Sequence, residues 1–142
     1  MVVTGYIPVR SHGQLDVLDI TNDVRNLIEG AAIQNGIVNI FCPGSTGALT
    51  TIEFEPGLKA DIKEHFGKMF PRGEYYHHHE TWGDDNGSGH LLSALIKTSF
   101  TAPIVEKRLA LGTWQQIVFI ECDTRARSRE LIVQIIGDSQ DV

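Results

Sequence analysis

TWQQIVFIECDTRARSRELIVQII, residues 113–136, reads as two long strands, Thr113–Cys122 and Arg129–Ile136, joined by Asp123–Ser128. Both are rich in Ile and Val, which suit a pleated, half-buried surface. Before them, Thr101–Val105 and Arg108–Leu111 flank a turn at Glu106-Lys107. Residues 2–9 and 14–20 read as short strands around a turn at Ser11-His12-Gly13. Ile37–Cys42, stopped by Pro43-Gly44, and Ala48–Phe54 complete the strand set.

Helices are inserted between these strands. Thr21 or Asn22 can cap one in which Val24, Leu27, Ile28 and Ala31 recur at helical spacing, with Asn35-Gly36 ending it. Pro56-Gly57 opens another. Its apolar stripe is Leu58, Ile62, Phe66, Met69 and Phe70, so Met69 is expected in the core, and Pro71 stops it. His90–Thr98 reads as a short third helix. Runs of strands with a few helices, without strict βαβ alternation, predict an α+β fold with mostly antiparallel sheet.

The length of 142 residues suits one domain spanning 1–142. Asp and Glu outnumber Lys and Arg, 18 to 12. Nucleic-acid binding needs the opposite surplus to displace phosphate counterions, so no nucleic-acid partner is expected. No apolar run reaches the roughly 18 residues of a membrane span, and the N-terminus has no basic segment leading into a long apolar one. The expected location is the cytoplasm, with Cys42 and Cys122 as buried free thiols.

Residues 71–89, PRGEYYHHHETWGDDNGSG, lose apolar periodicity and read as a long loop with room for a short strand. Four of the six histidines of the chain lie between His77 and His90. Imidazole beside carboxylate is the pairing of zinc sites and of general acid–base catalysis. In an extended segment His77 and His79 share one face, and His78 takes the other with Tyr76 and Glu80. A metal would then take His78 with residues returned by the turn, Asp84 and His90. The same spacing also suits a solvated loop.

Three further candidates stand apart from that loop. Pro43-Gly44-Ser45-Thr46-Gly47 can present backbone N–H groups to an anion, or be a plain turn. In Gly112-Thr113-Trp114-Gln115-Gln116, Trp114 is expected in the core, with Thr113 and Gln115 free to face a pocket. Arg125, Arg127 and Arg129 are spaced by two and share a face if extended, as a phosphate fork or a solvated hairpin end.

PGSTGALTTIE (43–53), YHHHETWGDDNGSGHLLSALI (76–96), KRLALGTWQQIVFIECD (107–123) and RSRELIVQIIGD (127–138) together resemble the YjbQ-like family. The resemblance runs from about residue 20 to the end. It implies a small homotrimer with a polar pocket between subunits. That pocket would be built from the hydroxyl turn, the histidine loop and the GTWQ strand. By motif, His78 matches the histidine after the family's loop tyrosine, and Asp84 and Asn86 match its acidic-amide segment. His90 matches the histidine before the helix, and Glu53 the glutamate ending the hydroxyl-turn strand.

Members of that family carry the label of secondary thiamine-phosphate synthase. That reaction joins a pyrimidine pyrophosphate to a thiazole phosphate and releases pyrophosphate. The resemblance thus implies a phosphorylated small-molecule substrate and a transferase-like enzyme, or a non-catalytic trimer that binds a metabolite or metal. The expected catalytic residues are His78, Asp84, His90 and Glu53. The expected ligand contacts are Ser45, Thr46, Asn86, Thr113, Gln115 and Arg127. His78, Asp84 and His90 are the expected ligands of a divalent metal, zinc or magnesium. The chain departs from the family at Gly44 and Ser88, where many members carry histidine.

Overall fold

Strands and helices together make up most of the described residues. The computed structural model describes residues 1–138. Its strands are β1 (Val2–Arg10), β2 (Val17–Asp19), β3 (Gly36–Phe41), β4 (Gly47–Ile52), β5 (Ser99–Val105), β6 (Arg108–Leu109), β7 (Gln116–Glu121) and β8 (Ser128–Gly137). The helices are α1 (Thr21–Gly30), α2 (Pro56–Met69), α3 (His77–Trp82) and α4 (Gly87–Ile96). A five-stranded sheet runs β1-β8-β3-β5-β6 and a three-stranded sheet β2-β7-β4. Every strand pair is antiparallel. This is the α+β arrangement expected.

The three-stranded sheet is the middle layer. On one side Leu49, Ile117 and Phe119 pack with Val38, Ile40, Leu131 and Val133 of the large sheet, and with Val24 and Ile28 of α1. On the other side Ala48, Val118, Ile120 and Cys122 pack with Ile62 of α2 and Leu92 of α4. β7 is therefore covered on both faces, and residues 117–122 are all buried. Each of its large apolar side chains contributes about 1.5–3 kcal/mol by leaving water.

Several expectations are corrected. β7 begins at Gln116, because Gly112–Gln115 close a turn in which the Gln115 N–H donates to the Gly112 carbonyl at 3.2 Å. Trp114 sits in that turn and is 74% exposed, not in the core. Met69, in the last turn of α2, is half exposed because the covering ends at Phe66 and Phe70. α1 is capped by position 20, and Thr21 instead lies buried, bonding Asp19 and the Ile117 N–H. Cys42 and Cys122 are buried free thiols.

The largest difference is the histidine segment. It is not extended: His77–Trp82 form α3, closed by Gly83 in the left-handed conformation at φ 67°, where a glycine carries no Cβ penalty. α4 starts at Gly87, three residues before His90. Weak apolar patterning hid both helix starts, since α3 buries none of its residues.

Candidate functional site

Packing of the α4 N-terminus on β7 brings the site together. A Cβ on Gly89 would lie 2.3 Å from the Cys122 carbonyl oxygen, so only glycine allows this approach. His90 follows it directly. α3 lies alongside, and the His78 and His90 rings meet at 4.3 Å between centroids, tilted by 49°. Helical geometry still separates the three consecutive histidines. His77 and His79 are exposed, and His78 turns inward. His79 Nδ1 bonds the Asp84 carbonyl at 2.7 Å, fixing the turn that returns Asp84 to His78.

His78 Nε2 lies 3.3 Å from Asp84 Oδ1. The atom is buried and has no hydrogen-bond partner. Asp84 Oδ1 meanwhile accepts from the Asn86 N–H. Burial lowers the His90 pKa from 6.5, and His78 lowers it further; Asp84, Asp123 and the Ser45 main chain oppose this only in part. This setting favours the neutral imidazole of His90. His90 shares a cavity of about 330 Å3 with Ser45, Ser93, Lys97 and Thr98.

The remaining expected residues divide. Thr46 is buried: its hydroxyl donates to Asp123 Oδ2 at 3.1 Å and accepts from Arg129 at 2.8 Å. Thr46 thereby links Asp123 to Arg129. Asn86 holds the Thr124 N–H at 3.1 Å. Arg127 is half exposed, 3.7 Å from Asp123 Oδ2, in a small cleft with Asp84 and Asn86. Gly44 has φ 124°, and a Cβ there would stand 3.2 Å from Arg129 Nη1, so a bulkier residue would crowd that guanidinium. Ser88 is fully buried and accepts from Gln14 Nε2 at 2.9 Å.

Thr113, Gln115 and Glu53 lie elsewhere. Gln115 bonds Thr51 at 3.1 Å, and Ile52 pairs with Gln116. Ser45 and Thr46 precede the opposite end of β4, where Gly47 pairs with Glu121. A strand rises about 3.3 Å per residue, so the length of β4 separates the two groups by roughly 15 Å. One chain does not join them.

Sequence reasoning missed a buried pair. Arg129 bonds Glu121 through Nε at 3.0 Å and Nη2 at 2.6 Å, and Glu121 also accepts from Ser11 Oγ at 2.7 Å. The three arginines do not share a face, because β8 begins only at Ser128. Arg125 and Arg127 are exposed, while Arg129 turns inward. The signal was Glu121 itself, a carboxylate inside an apolar run, which requires a buried partner. Burial opposes ionisation of Asp123. Hydrogen bonds from Arg125, Asn86 and Thr46, with the Arg127 charge, outweigh it and hold this carboxyl below its usual range.

Orphaned His78 Nε2 beside a carboxylate fits a divalent ion, and the imidazole favours zinc over oxygen-seeking magnesium. Among the described residues, three donors within 4.8 Å of one another occur at exposed Asp61, Glu64 and His65, rather than at His78, Asp84 and His90. The fit is thus of two donors, with His90 stacked beside them.

Known proteins share this architecture. The family described as UPF0047 protein YjbQ-like matches residues 5–138. The UPF0047 protein of Methanothermobacter thermautotrophicus is 35% identical over 136 residues, covering 96% of this chain and 93% of that protein. That of Archaeoglobus fulgidus is 35% identical over 92% of this chain and 98% of its own length. A YbjQ-like protein of unknown function from Sulfolobus solfataricus superposes with a TM-score of 0.89 at 32% identity, covering 97% of this chain and 99% of that one. A hypothetical protein from Aeropyrum pernix gives 0.87 at 32% identity, covering 96% and 99%. With one family spanning nearly its whole length and relatives agreeing end to end, this chain belongs to the UPF0047 YjbQ-like family.

Proposed function

We propose that the chain is a small-molecule enzyme acting on a phosphorylated substrate at the His78–Asp84–His90 site. One observation carries this reading: a buried imidazole nitrogen without a hydrogen bond, His78 Nε2, set against a carboxylate and a second imidazole. Native proteins seldom leave a buried polar atom unsatisfied, and such an atom calls for an absent partner. A ligand or metal at Nε2 supplies one.

Neutral His90 accepts a proton from a group bound in the cavity it shares with Ser45, and Asp84 orients His78. A divalent ion held by His78 and Asp84 would supply Lewis-acid stabilisation of a leaving phosphate or pyrophosphate. Thiamine-phosphate-synthase-like coupling is the named reaction that fits, since its departing pyrophosphate needs cationic stabilisation. The second reading is a metabolite- or metal-binding protein without turnover. Two converging donors rather than three favour it.

The functional unit is a homotrimer in this reading. Glu53, Thr113 and Gln115 reach the histidine site only from a neighbouring chain. The large sheet also exposes apolar rows, Val2–Ile136–Ile37 and Tyr6–Ile132–Phe41, that a neighbour would cover.

Three measurements test this. Light scattering should give about three times 15.7 kDa; a monomer rejects the shared site. Calorimetry with zinc, and with pyrophosphate, should show binding that His78→Ala abolishes. Pyrophosphate release from the pyrimidine and thiazole phosphates decides between turnover and binding alone. No binding to the parent protein would reject both readings.

A further inference from the structure

Five non-glycine residues have positive φ among the described residues. Leu15, Ala32, Glu106 and Lys107 lie between 50° and 67°, in the ordinary left-handed range. Lys97 is different, with φ 88° and ψ 160°. That region is populated almost solely by glycine, because a Cβ collides with the backbone there. The surrounding chain holds it in place. Its N–H donates to the Ser93 carbonyl at 2.8 Å, and its carbonyl accepts the Leu49 N–H at 3.0 Å. One residue on, the Thr98 carbonyl accepts the Cys42 N–H at 2.9 Å. Position 97 is thus fixed in a conformation that suits glycine and disfavours lysine.

Strain that the fold retains gathers at functional sites. Lys97 lies at one: it lines the cavity of about 330 Å3 with Gly44, Ser45, His90, Ser93 and Thr98. It is exposed, and no hydrogen bond or ion pair engages its ammonium among the described residues. Ser45 is an exposed hydroxyl on the same wall. Lys97 is the one lysine or arginine among these lining residues. A compact ammonium beside a hydroxyl recognises a phosphoryl group, as a point charge with three donors.

We propose that Lys97 is a phosphate-binding residue, its ammonium and the Ser45 hydroxyl receiving a phosphoryl group of the substrate beside His90. This rests on the site assigned above and deepens it by naming the group that carries the anion. Arg127 lies in a separate cleft and pairs with Asp123, so it does not serve this cavity.

The strain makes the test specific. Inorganic phosphate and pyrophosphate are titrated calorimetrically into the parent, Lys97→Gly, Lys97→Ala and Lys97→Arg, and melting temperatures are recorded. Both neutral variants should bind at least about tenfold more weakly, the value of a modest charge-assisted contact. Lys97→Arg should retain binding. Lys97→Gly should melt higher than Lys97→Ala, because both lose the charge and only glycine relieves the backbone. Unchanged affinity in Lys97→Gly and Lys97→Ala overturns the proposal. If His90→Ala then still abolishes binding, the histidine site stands without Lys97. If the parent binds neither anion, both assignments fall.

Discussion

The buried Arg129–Glu121 pair and the His78–Asp84 pair treat polar atoms in opposite ways. Glu121 is fully enclosed, yet both its oxygens are bonded by Arg129, with Ser11 and the Asp123 N–H adding to them. His78 lies nearer the surface and leaves a buried nitrogen without a bond. A satisfied pair deep in the interior belongs to the scaffold. The pair at the rim leaves that nitrogen without a hydrogen bond. Thr46 extends the first pair, its hydroxyl linking Arg129 to Asp123 beneath the hydroxyl turn.

That contrast can be broken most forcefully at Glu121. Glu121→Ala strands the Arg129 charge in the interior and should cost about 3–5 kcal/mol in a urea titration. Replacing both partners with apolar residues, as Glu121→Met with Arg129→Leu, should recover most of the loss. A single substitution with little effect would mean that water reaches the pair. Thr46→Val comes next. It leaves Asp123 without one donor and Arg129 without one acceptor, and should cost about 1–3 kcal/mol by the same titration.

At the rim the order of effects reverses. His78→Ala removes an atom that makes no hydrogen bond, so stability should change by about 0.5 kcal/mol or less, while binding of zinc or pyrophosphate is lost. His77→Ala, on the exposed face of α3, should match the parent in both measurements. A melting point that collapses in His78→Ala would reassign the residue to packing.

The smallest effect is the pH dependence. The pKa of His90 is lower folded than unfolded, so the unfolded chain holds the proton more tightly. Its contribution is complete above the unfolded value of 6.5 and is lost as pH falls toward the folded value. Asp123 is also depressed and loses its contribution at lower pH, below the ordinary 3.8. Melting temperatures should therefore fall between pH 7 and pH 5, and His90→Gln should flatten that segment alone.

The sheets and α2 were legible because their patterning is dictated by burial. Ile117 to Ile120 read as strand since both faces are covered, and Leu58, Ile62 and Phe66 repeat at helical spacing. α3 was not, because it buries no residue and is defined by Gly83 at its end instead of an apolar stripe. Trp114 and Met69 misled for the complementary reason: aromatic and thioether side chains suggest a core, yet Trp114 falls in the turn before β7 and Met69 is half exposed in the last turn of α2. The meeting of His78 and His90 was readable from the glycines between them. The inward turn of Arg129 and the backbone of Lys97 were not, since each is decided by contacts across the fold. Glu53, Thr113 and Gln115 were grouped with the histidines by motif, and their separation along β4 emerges only from strand register.

Cys42 and Cys122 lie at the ends of β3 and β7 with no exposed surface. Burial, with the Glu121 carboxylate, pushes the Cys122 thiol up to about 12, and burial raises Cys42 as well. Only a thiolate attacks an alkylating reagent, so neither reacts while the fold is closed. Each becomes reactive only in molecules that have opened. The rate at which iodoacetamide consumes these sulfurs is consequently a clock for the molecule's own breathing. When reclosing is faster than labelling, the two residues report opening free energies from within the layers they occupy, and a bound ligand would slow both.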